Sequence, residues 1–288
     1  VELQAEAREA AVAAIDAVLE ELRRIDATYS TWSDASELSR VNREAGRGPT
    51  RAHDELLELL RESREVSELT GGAFDVTYAS AGRLYDFRAG VRPGDEARRA
   101  AVAAIDYRYV ELDRDAGTVR YAHPDVWVDL GGIAKGYAVD RAMELLLARG
   151  VRNAAVAAGG DMRLAGSRAG RPWVIGVRDP DDRGETIARL PLRDVAVSTS
   201  GDYERFFDED GIRYHHILDP ATGDSARGVR SVTVIGTRAT RTDALSTSVF
   251  VLGREAGLAL IDRIPGVDAL VVDADGRLHV SEGLRRAL

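Results

Sequence analysis

The stretch Val128-Asp-Leu-Gly-Gly-Ile-Ala-Lys-Gly136 decides how the fold is interpreted, because it joins an apolar strand to a helix through two glycines. The glycines let the backbone bend closely, and the helix predicted from about Ile133 to Ala148 stops at Gly150. Free amide donors at a helix start favour an anion. Lys135 lies in the first turn, where a cation opposes the helix dipole unless an anion sits between them.

Two interpretations of this stretch stay open on local pattern alone. Either the helix start binds an anion with Lys135, or Lys135 is simply exposed and the glycines serve packing. Of the 39 basic residues, Lys135 is the only lysine. Codon bias explains the many arginines but not the survival of one lysine at this place, since the two side chains are not interchangeable where a compact charge is wanted. Neither the P-loop pattern nor Gly-x-Gly-x-x-Gly fits the segment.

Short helices and strands alternate irregularly around this stretch. The predicted helices cover 3–26, a short segment after Asp34 and Glu37 in capping-box spacing, 56–69, 95–104, 133–148, 242–252 and a segment from 255. The predicted strands cover 109–112, 118–121, 126–128, 154–157, 173–177, 187–191, 195–199, 213–218, 231–236, 267–272 and 277–280. Without a regular strand–helix alternation, the order favours an α+β fold with a mixed, largely antiparallel sheet and packed helices.

Composition excludes several classes of protein. Hydrophobic residues make up 44% of the 288, which suits a globular chain with a sizeable core, and no run of about 18 apolar residues predicts a membrane span. The net charge of −9 argues against a nucleic-acid partner. The absence of cysteine excludes disulfides, thiolate chemistry and cysteine-ligated metals.

No repeat or linker divides residues 1–288, so we expect a single unit.

A possible metal pair lies in Thr242-Asp-Ala-Leu-Ser-Thr247. Asp243 and Thr247 are four residues apart and therefore share one helix face. A carboxylate and a hydroxyl are hard oxygen ligands that suit Mg²⁺. The alternative, a capped helix start with Asp243 near its first turn, is favoured about two to one on this segment alone.

Two further segments carry polar groups that could face a ligand. Tyr214 to Gly223 contains His215 and His216, which point to opposite faces if the segment is a strand, so only one can face a given site. A core or surface histidine is the usual role of either. Ser198 to Tyr203 follows an apolar strand and presents hydroxyls and amides, although a tight loop is the simpler interpretation.

The order of these segments along one chain resembles the FAD:protein FMN transferase family, once described as thiamine-biosynthesis lipoproteins. No single segment is specific, but the combination is, and it runs from about residue 29 to 247. The matching stretches are Tyr29–Trp32, Ser36–Asn42, Gly72–Asp75, Val128–Tyr137, Ala158–Asp161, Ser198–Tyr203, His216–Gly223 and Asp243–Thr247.

The resemblance implies a fold and a set of site residues. The fold would be related to the tunnelling fold, with FAD in a cleft, and two closely packed lobes are an alternative form of the single unit. Gly132 (through its backbone oxygen), Asp243 and Thr247 would bind Mg²⁺. The FAD contacts would be Ala73, Phe74, Asp75, Asp129, Lys135 and Ile217. Asn42 would also contact FAD, and it falls where members differ between transferring FMN and hydrolysing FAD.

The resemblance also implies the reaction. Mg²⁺-dependent transfer would move FMN from FAD to a Thr or Ser hydroxyl of an acceptor flavoprotein and release AMP. His216 would accept the hydroxyl proton, with Asp129 as an alternative base, and Lys135 would stabilise charge on the phosphates. The alternatives are an Mg²⁺-dependent FAD pyrophosphatase that forms FMN and AMP, a non-catalytic FAD carrier, or an α+β module without a ligand.

Two departures from the family concern the N-terminus. Members usually begin with a strand that carries Met-Gly-Thr, and many carry a lipid-anchor cysteine. This chain has neither, as expected of a truncated sequence. We expect a location in the cell envelope from the resemblance, or in the cytoplasm if the missing N-terminus carries no signal.

Overall fold

The computed structural model describes residues 1–4, 7–182 and 184–287. Two short 3-10 helices, Val76–Tyr78 and Tyr107–Tyr109, accompany the α-helices of these residues. The α-helices are α1 (Arg8–Tyr29), α2 (Glu37–Glu44), α3 (Asp54–Leu69), α4 (Ala79–Gly82), α5 (Asp95–Val102), α6 (Ala134–Ala148), α7 (Ala239–Ile261) and α8 (Glu282–Ala287).

The strands of the same residues are short, most of them two to seven residues long. They are β1 (Glu2–Leu3), β2 (Thr50–Arg51), β3 (Val110–Asp113), β4 (Thr118–Tyr121), β5 (Ala154–Ala158), β6 (Asp161–Ala165), β7 (Trp173–Arg178), β8 (Thr186–Leu192), β9 (Ala196–Gly201), β10 (Phe206–Glu209), β11 (Ile212–His215), β12 (Leu218–Asp219), β13 (Asp224–Ser225), β14 (Val229–Gly236), β15 (Asp268–Asp273) and β16 (Leu278–Val280).

A seven-stranded sheet in the order β1-β5-β6-β9-β14-β15-β16 is the framework of the molecule. All pairs within it are antiparallel. Four smaller antiparallel sheets are β2-β4-β3, β7-β8, β10-β11 and β12-β13. The predicted α+β fold with a largely antiparallel sheet is therefore confirmed.

Helices α6 and α7 pack on this sheet and on each other, and α1 packs on α6. The buried face of α6 includes Val139, Met143 and Leu146, which lie in one cluster with Val18 of α1 and Val156 of β5. Burial of large apolar side chains of this kind is the main favourable term in folding. The packing holds α6 against β5 and β6 of the sheet.

Helices α6 and α7 cross so closely that only glycine fits at the crossing. A Cβ atom on Gly136 would lie 2.1 Å from the carbonyl oxygen of Ala239 and 2.8 Å from the Cβ of Asp243. The two helices also cap each other. Asp243 of α7 accepts a hydrogen bond from the Gly136 amide, and Asp140 of α6 accepts from the amides of Ala239 and Thr240. Each helix start is thus satisfied by a carboxylate of the other helix.

Two predicted helix starts differ from the structure. The helix predicted at 3–26 begins at Arg8, after the short strand β1, and it continues to Tyr29; residues 5 and 6 of the prediction lie outside the described ranges. Asp34 does not cap α2. Ser36 is the N-cap, and its hydroxyl accepts a hydrogen bond from the Ser39 amide at 3.0 Å.

The strand predicted at 126–128 is wrong, because side chains replace a neighbouring strand there. The Asn42 side chain donates to the Val128 carbonyl at 2.8 Å and accepts from the Val128 amide at 2.9 Å. The Trp127 amide donates to the Ser80 hydroxyl. An extended segment satisfied in this way needs no ladder partner. Since Val128 precedes Asp129, Asn42 helps to fix the entry into α6.

Regular backbone geometry is interrupted at His216 and at Gly253, which bears on two other predictions. The strand predicted at 213–218 is interrupted at His216 and divides into β11 and β12. The separate helices predicted at 242–252 and from 255 are present as two helical segments of α7, divided at Gly253, whose φ of +79° is non-helical and suits glycine.

By length and composition α7 could span a membrane, with a mean hydropathy of 1.4 over its most apolar 18 residues. Of that window, 44% is buried inside the protein. The helix packs on β9 and β14, and its side chains Leu245, Val249 and Phe250 are fully buried. These contacts are those of a core helix.

We expect Gly136→Ala to destabilise the fold by about 3 kcal/mol, because overpacking between two helix backbones outweighs the roughly 1 kcal/mol gain in helix propensity. Urea denaturation would measure the change. Gly48→Ala is the matched control, since a Cβ at Gly48 has no atom within 4 Å, and its effect should stay within about 0.5 kcal/mol. Equal stability of both variants would contradict the close crossing.

We expect Asn42→Ala to cost about 3 kcal/mol, because it leaves the Val128 amide, the Val128 carbonyl and the Tyr121 hydroxyl without their partner. Thermal and urea unfolding would measure the loss. Arg43→Ala changes an exposed neighbour on the same helix and should cost less than about 0.5 kcal/mol. A similar small effect for Asn42→Ala would show that the backbone of Val128 finds other partners.

Candidate active site

A cleft of about 710 Å³ opens where the start of α6, the sheet and three loops meet. This volume is within the range of small-molecule sites. Its walls come from 73–78, 129–135, 159–162, β7, β9, 203–205, 216–220 and Thr247 of α7.

Most of the predicted site residues line this cleft. They are Ala73, Phe74, Asp75, Asp129, Gly132, Lys135, His216, Ile217 and Thr247. Asp243 lies beneath Lys135 and is 2% exposed. Asn42 does not line the cleft. Its side-chain amide is buried against Val128 and Tyr121. Asn42 therefore affects the site only indirectly, by fixing the backbone of Val128.

Lys135 lies between two carboxylates. Its Nζ atom is 3.0 Å from Oδ1 of Asp243 and 3.1 Å from Oδ2 of Asp161, and it donates to the carbonyl of Gly131 at 2.8 Å. The Lys135 side chain is 45% exposed. Desolvation of its ammonium lowers the pKa of Lys135, but the charges of Asp243 and Asp161 raise it above its usual value. The cation at the helix start is therefore balanced by protein carboxylates, and Lys135 is not a simple surface lysine.

Asp161 begins β6 and is 1% exposed. Burial and the charge of Asp243 raise its pKa to about 7, while Lys135 opposes the rise. Within the described ranges neither of its oxygens accepts a hydrogen bond of regular geometry, although Lys135 lies close. A buried carboxylate needs a compensating charge, and the Lys135 ammonium supplies it for Asp161.

The residues predicted to bind a metal offer only oxygen. Gly132 lies against Thr247, since a Cβ on Gly132 would be 3.4 Å from the Thr247 hydroxyl oxygen. Asp243 lies one helical turn before Thr247. No group of three His, Cys, Asp or Glu side chains with metal-site geometry occurs in residues 1–4, 7–182 and 184–287. One carboxylate, one hydroxyl and a carbonyl nevertheless suit Mg²⁺, which keeps waters and phosphate oxygens as further ligands.

Asp129 is held by three hydrogen bonds. Its Oδ1 accepts from the Gly131 amide at 2.7 Å and the Tyr78 hydroxyl at 3.0 Å, and its Oδ2 accepts from the Thr31 hydroxyl at 2.6 Å. Burial and the charge of Asp129 raise the pKa of Tyr78, so this phenol stays a donor. The three donors orient the Asp129 carboxylate and occupy both of its oxygens.

Asp75 shapes the wall of the cleft. It accepts from the amide and hydroxyl of Thr77 and from the amide of Tyr107. It thereby caps the 3-10 turn that follows Phe74. Burial raises the pKa of Asp75, although these hydrogen bonds oppose the rise.

The adjacent histidines face different surroundings, because β11 ends at His215 and the chain bends at His216. His215 is buried against Phe250, and its two ring nitrogens lie near the carbonyl of Ala226 and the amide of Ile217. His216 lines the cleft, and its Nδ1 is buried with no hydrogen-bond partner among the described residues. Burial, followed by the charge of Arg205, lowers the pKa of His216 to about 3. Its imidazole is neutral at physiological pH.

Four residues of the site were not predicted from sequence. Asp161 is the last residue of one stretch that matches the family, and Thr31 lies inside another. The sequence therefore pointed to both positions, but no role was predicted for either. Tyr78 and Arg205 had none, because only the tertiary fold brings them to the cleft. Arg205 lines the cleft, and its positive charge lies near enough to His216 to lower the pKa of that ring.

Known proteins are similar in sequence to this chain over most of its length. The model of the ApbE family matches residues 1–271. A protein named FAD:protein FMN transferase from Treponema pallidum is 37% identical over 291 aligned positions, which cover 94% of this chain and 80% of the relative. A second relative of that name, from Vibrio cholerae, is 36% identical, with coverage of 86% and 75%.

Solved structures give the same result. The ApbE protein of Thermotoga maritima superposes with a TM-score of 0.89 at 37% identity, covering 95% of this chain and 90% of the other. The flavin transferase ApbE from Vibrio cholerae superposes with a TM-score of 0.84 at 31% identity, covering 98% and 91%. The family resemblance of the motifs is confirmed, and the chain belongs to the ApbE family.

Proposed function

We propose that the chain transfers the FMN half of FAD to a Thr or Ser hydroxyl of an acceptor protein and releases AMP. The observation that carries the proposal is the cluster at the start of α6, where Lys135, Asp243 and Thr247 meet at one cleft. A cation beside a set of hard oxygen ligands for Mg²⁺ suits a diphosphate. The relatives named FAD:protein FMN transferase support the same reaction.

The cleft offers distinct surroundings for the parts of FAD. Phe74, Ile217 and Leu218 provide apolar surface for a flat ring system. Lys135 and Arg205 provide positive charge for the phosphates. Asp129, held by its three donors, is a fixed acceptor for a polar edge of the ligand. These contacts would bind FAD and orient its diphosphate toward the start of α6.

We assign a magnesium site to Asp243, Thr247 and the carbonyl of Gly132. The set fits Mg²⁺ because all three donors are oxygens and because the nearby carboxylate of Asp161 adds negative charge. When bound, the ion would offset negative charge on the diphosphate and on the departing AMP.

The reaction exchanges one phosphorus–oxygen bond for another. The acceptor hydroxyl oxygen forms a bond to the FMN phosphorus, and the bond from that phosphorus to the AMP oxygen breaks. We assign the imidazole of His216, which lines the cleft and is neutral, as the group that takes the hydroxyl proton. Asp129 is less suited as the base, because both of its oxygens already accept hydrogen bonds.

We expect Asp243→Asn to lower FMN transfer at least about 100-fold, because it removes charge from the metal site. The measurement is the FMN mass on a peptide-tagged acceptor with a Thr motif, together with released AMP, in Mg²⁺ and after EDTA. Asp275→Ala is the matched control, a carboxylate that is 70% exposed, and should transfer normally. Full activity of Asp243→Asn would contradict the site. AMP release without acceptor modification would favour the pyrophosphatase alternative.

We expect His216→Ala to lower turnover about 100-fold, within the usual contribution of a general base. Since the pKa of His216 is lowered to about 3, the ring takes up a proton only as the pH falls toward that value. The wild-type rate should therefore show no His216 titration between pH 5 and 8. His53→Ala, at an 84% exposed histidine, is the control. Unchanged turnover of His216→Ala across this range would exclude the role.

A further inference from the structure

Lys135 has more acceptors than it has hydrogens to donate. Its three ammonium hydrogens face the Gly131 carbonyl, both oxygens of Asp243 and one oxygen of Asp161, all within 3.1 Å of Nζ. The Asp243 carboxylate serves Lys135 and the Gly136 amide together. Lys135 therefore already holds the carboxylate that a divalent cation would need.

Asp161 is placed to act on Lys135, and Ser198 of β9 also lowers the pKa of Asp161 through a side-chain hydrogen bond. It is the first residue of β6, where it pairs with Ala158 of β5 and Ser198 of β9, so its backbone is fixed by the main sheet. Its side chain is almost fully buried, and Lys135 is the only cation that forms an ion pair with it within residues 1–4, 7–182 and 184–287.

A cation bound to Asp243 would repel the ammonium of Lys135. Two positive groups that share one carboxylate interact unfavourably at such short distances, even when the surroundings are partly solvated. With Asp161 in place, Lys135 keeps one carboxylate and the Gly131 carbonyl after Asp243 is taken. Without Asp161, Lys135 would keep only the carbonyl and would compete for Asp243.

We propose that Asp161 is a positioning residue that holds the Lys135 ammonium beside the site while a divalent cation occupies Asp243, so that both positive groups act on the diphosphate together. This inference rests on the metal site of the proposed function. It assigns to Asp161 a part in metal binding that is exerted through Lys135, not through direct coordination.

The single lysine allows a direct test in the wild-type protein. Incorporation of lysine labelled with ¹³C at Cε gives one lysine signal, which belongs to Lys135. The protein with FAD and no acceptor is titrated with Mg²⁺. We expect the signal to shift with saturation and to keep the broad line of an immobilised side chain. A sharp line at the position of a free lysine in saturating Mg²⁺ would overturn the proposal.

A double-mutant cycle separates an action through Lys135 from a simple charge effect. The variants are Asp161→Asn, Lys135→Met and the double variant, and the probe is Mn²⁺ with FAD present, where free Mn²⁺ is measured by electron paramagnetic resonance. We expect Asp161→Asn to weaken Mn²⁺ binding about tenfold in the wild-type background but only about two- to threefold beside Lys135→Met. Lys135→Met alone should tighten binding.

The outcomes distinguish this inference from the proposed function. Equal effects of Asp161→Asn in both backgrounds would show a charge effect alone and would overturn the inference, while the metal site would stand. Wild-type protein that binds no Mn²⁺ in the presence of FAD would overturn both. Asp202→Asn removes another buried carboxylate that has no contact with Lys135, and it should show no coupling to Lys135→Met.

Discussion

The close crossing of α6 and α7 at Gly136 is the constraint on which the site depends. Because the backbones touch there, Asp243 of α7 reaches the Gly136 amide and Asp140 of α6 reaches the first amides of α7. The exchange of carboxylates satisfies two buried helix starts without a side-chain cap of their own. It also places Asp243 beside Lys135, although the two residues are 108 positions apart in sequence.

The electrostatics of the cleft follow from this arrangement. A lysine in the first turn of a helix is unfavourable by itself, since the helix dipole already places positive charge there. The two carboxylates beneath Lys135 make the local net charge negative. The group of Lys135, Asp161 and Asp243 carries one net negative charge when all three side chains are ionised. Such a group can bind a divalent cation and still present an ammonium to a diphosphate. Arg205 and neutral His216 complete a wall that suits an anionic ligand.

The sequence predicted the elements whose signals are local and failed where partners are distant. The helix after Gly132 and the hairpin near the C-terminus follow from apolar spacing and glycine stops, and both are present. The segment 126–128 has the composition of a strand, but its hydrogen-bond partner is a side chain 86 positions away. In the same way the order of the motifs indicated Asp129, Lys135 and Asp243, whereas the contacts of Asp161, Tyr78 and Arg205 arise only in the folded chain.

The four acceptor oxygens around the Lys135 ammonium also bear on the composition of the chain. Arginine occupies 38 of the 39 basic positions, as expected where mutation drifts steadily toward its codons. A planar guanidinium presents its hydrogens in one plane and on a longer, wider head, so it could not direct them to the Gly131 carbonyl and two flanking carboxylates at once. The one lysine thus lies where a compact ammonium, and not a positive charge alone, fits the surrounding acceptors.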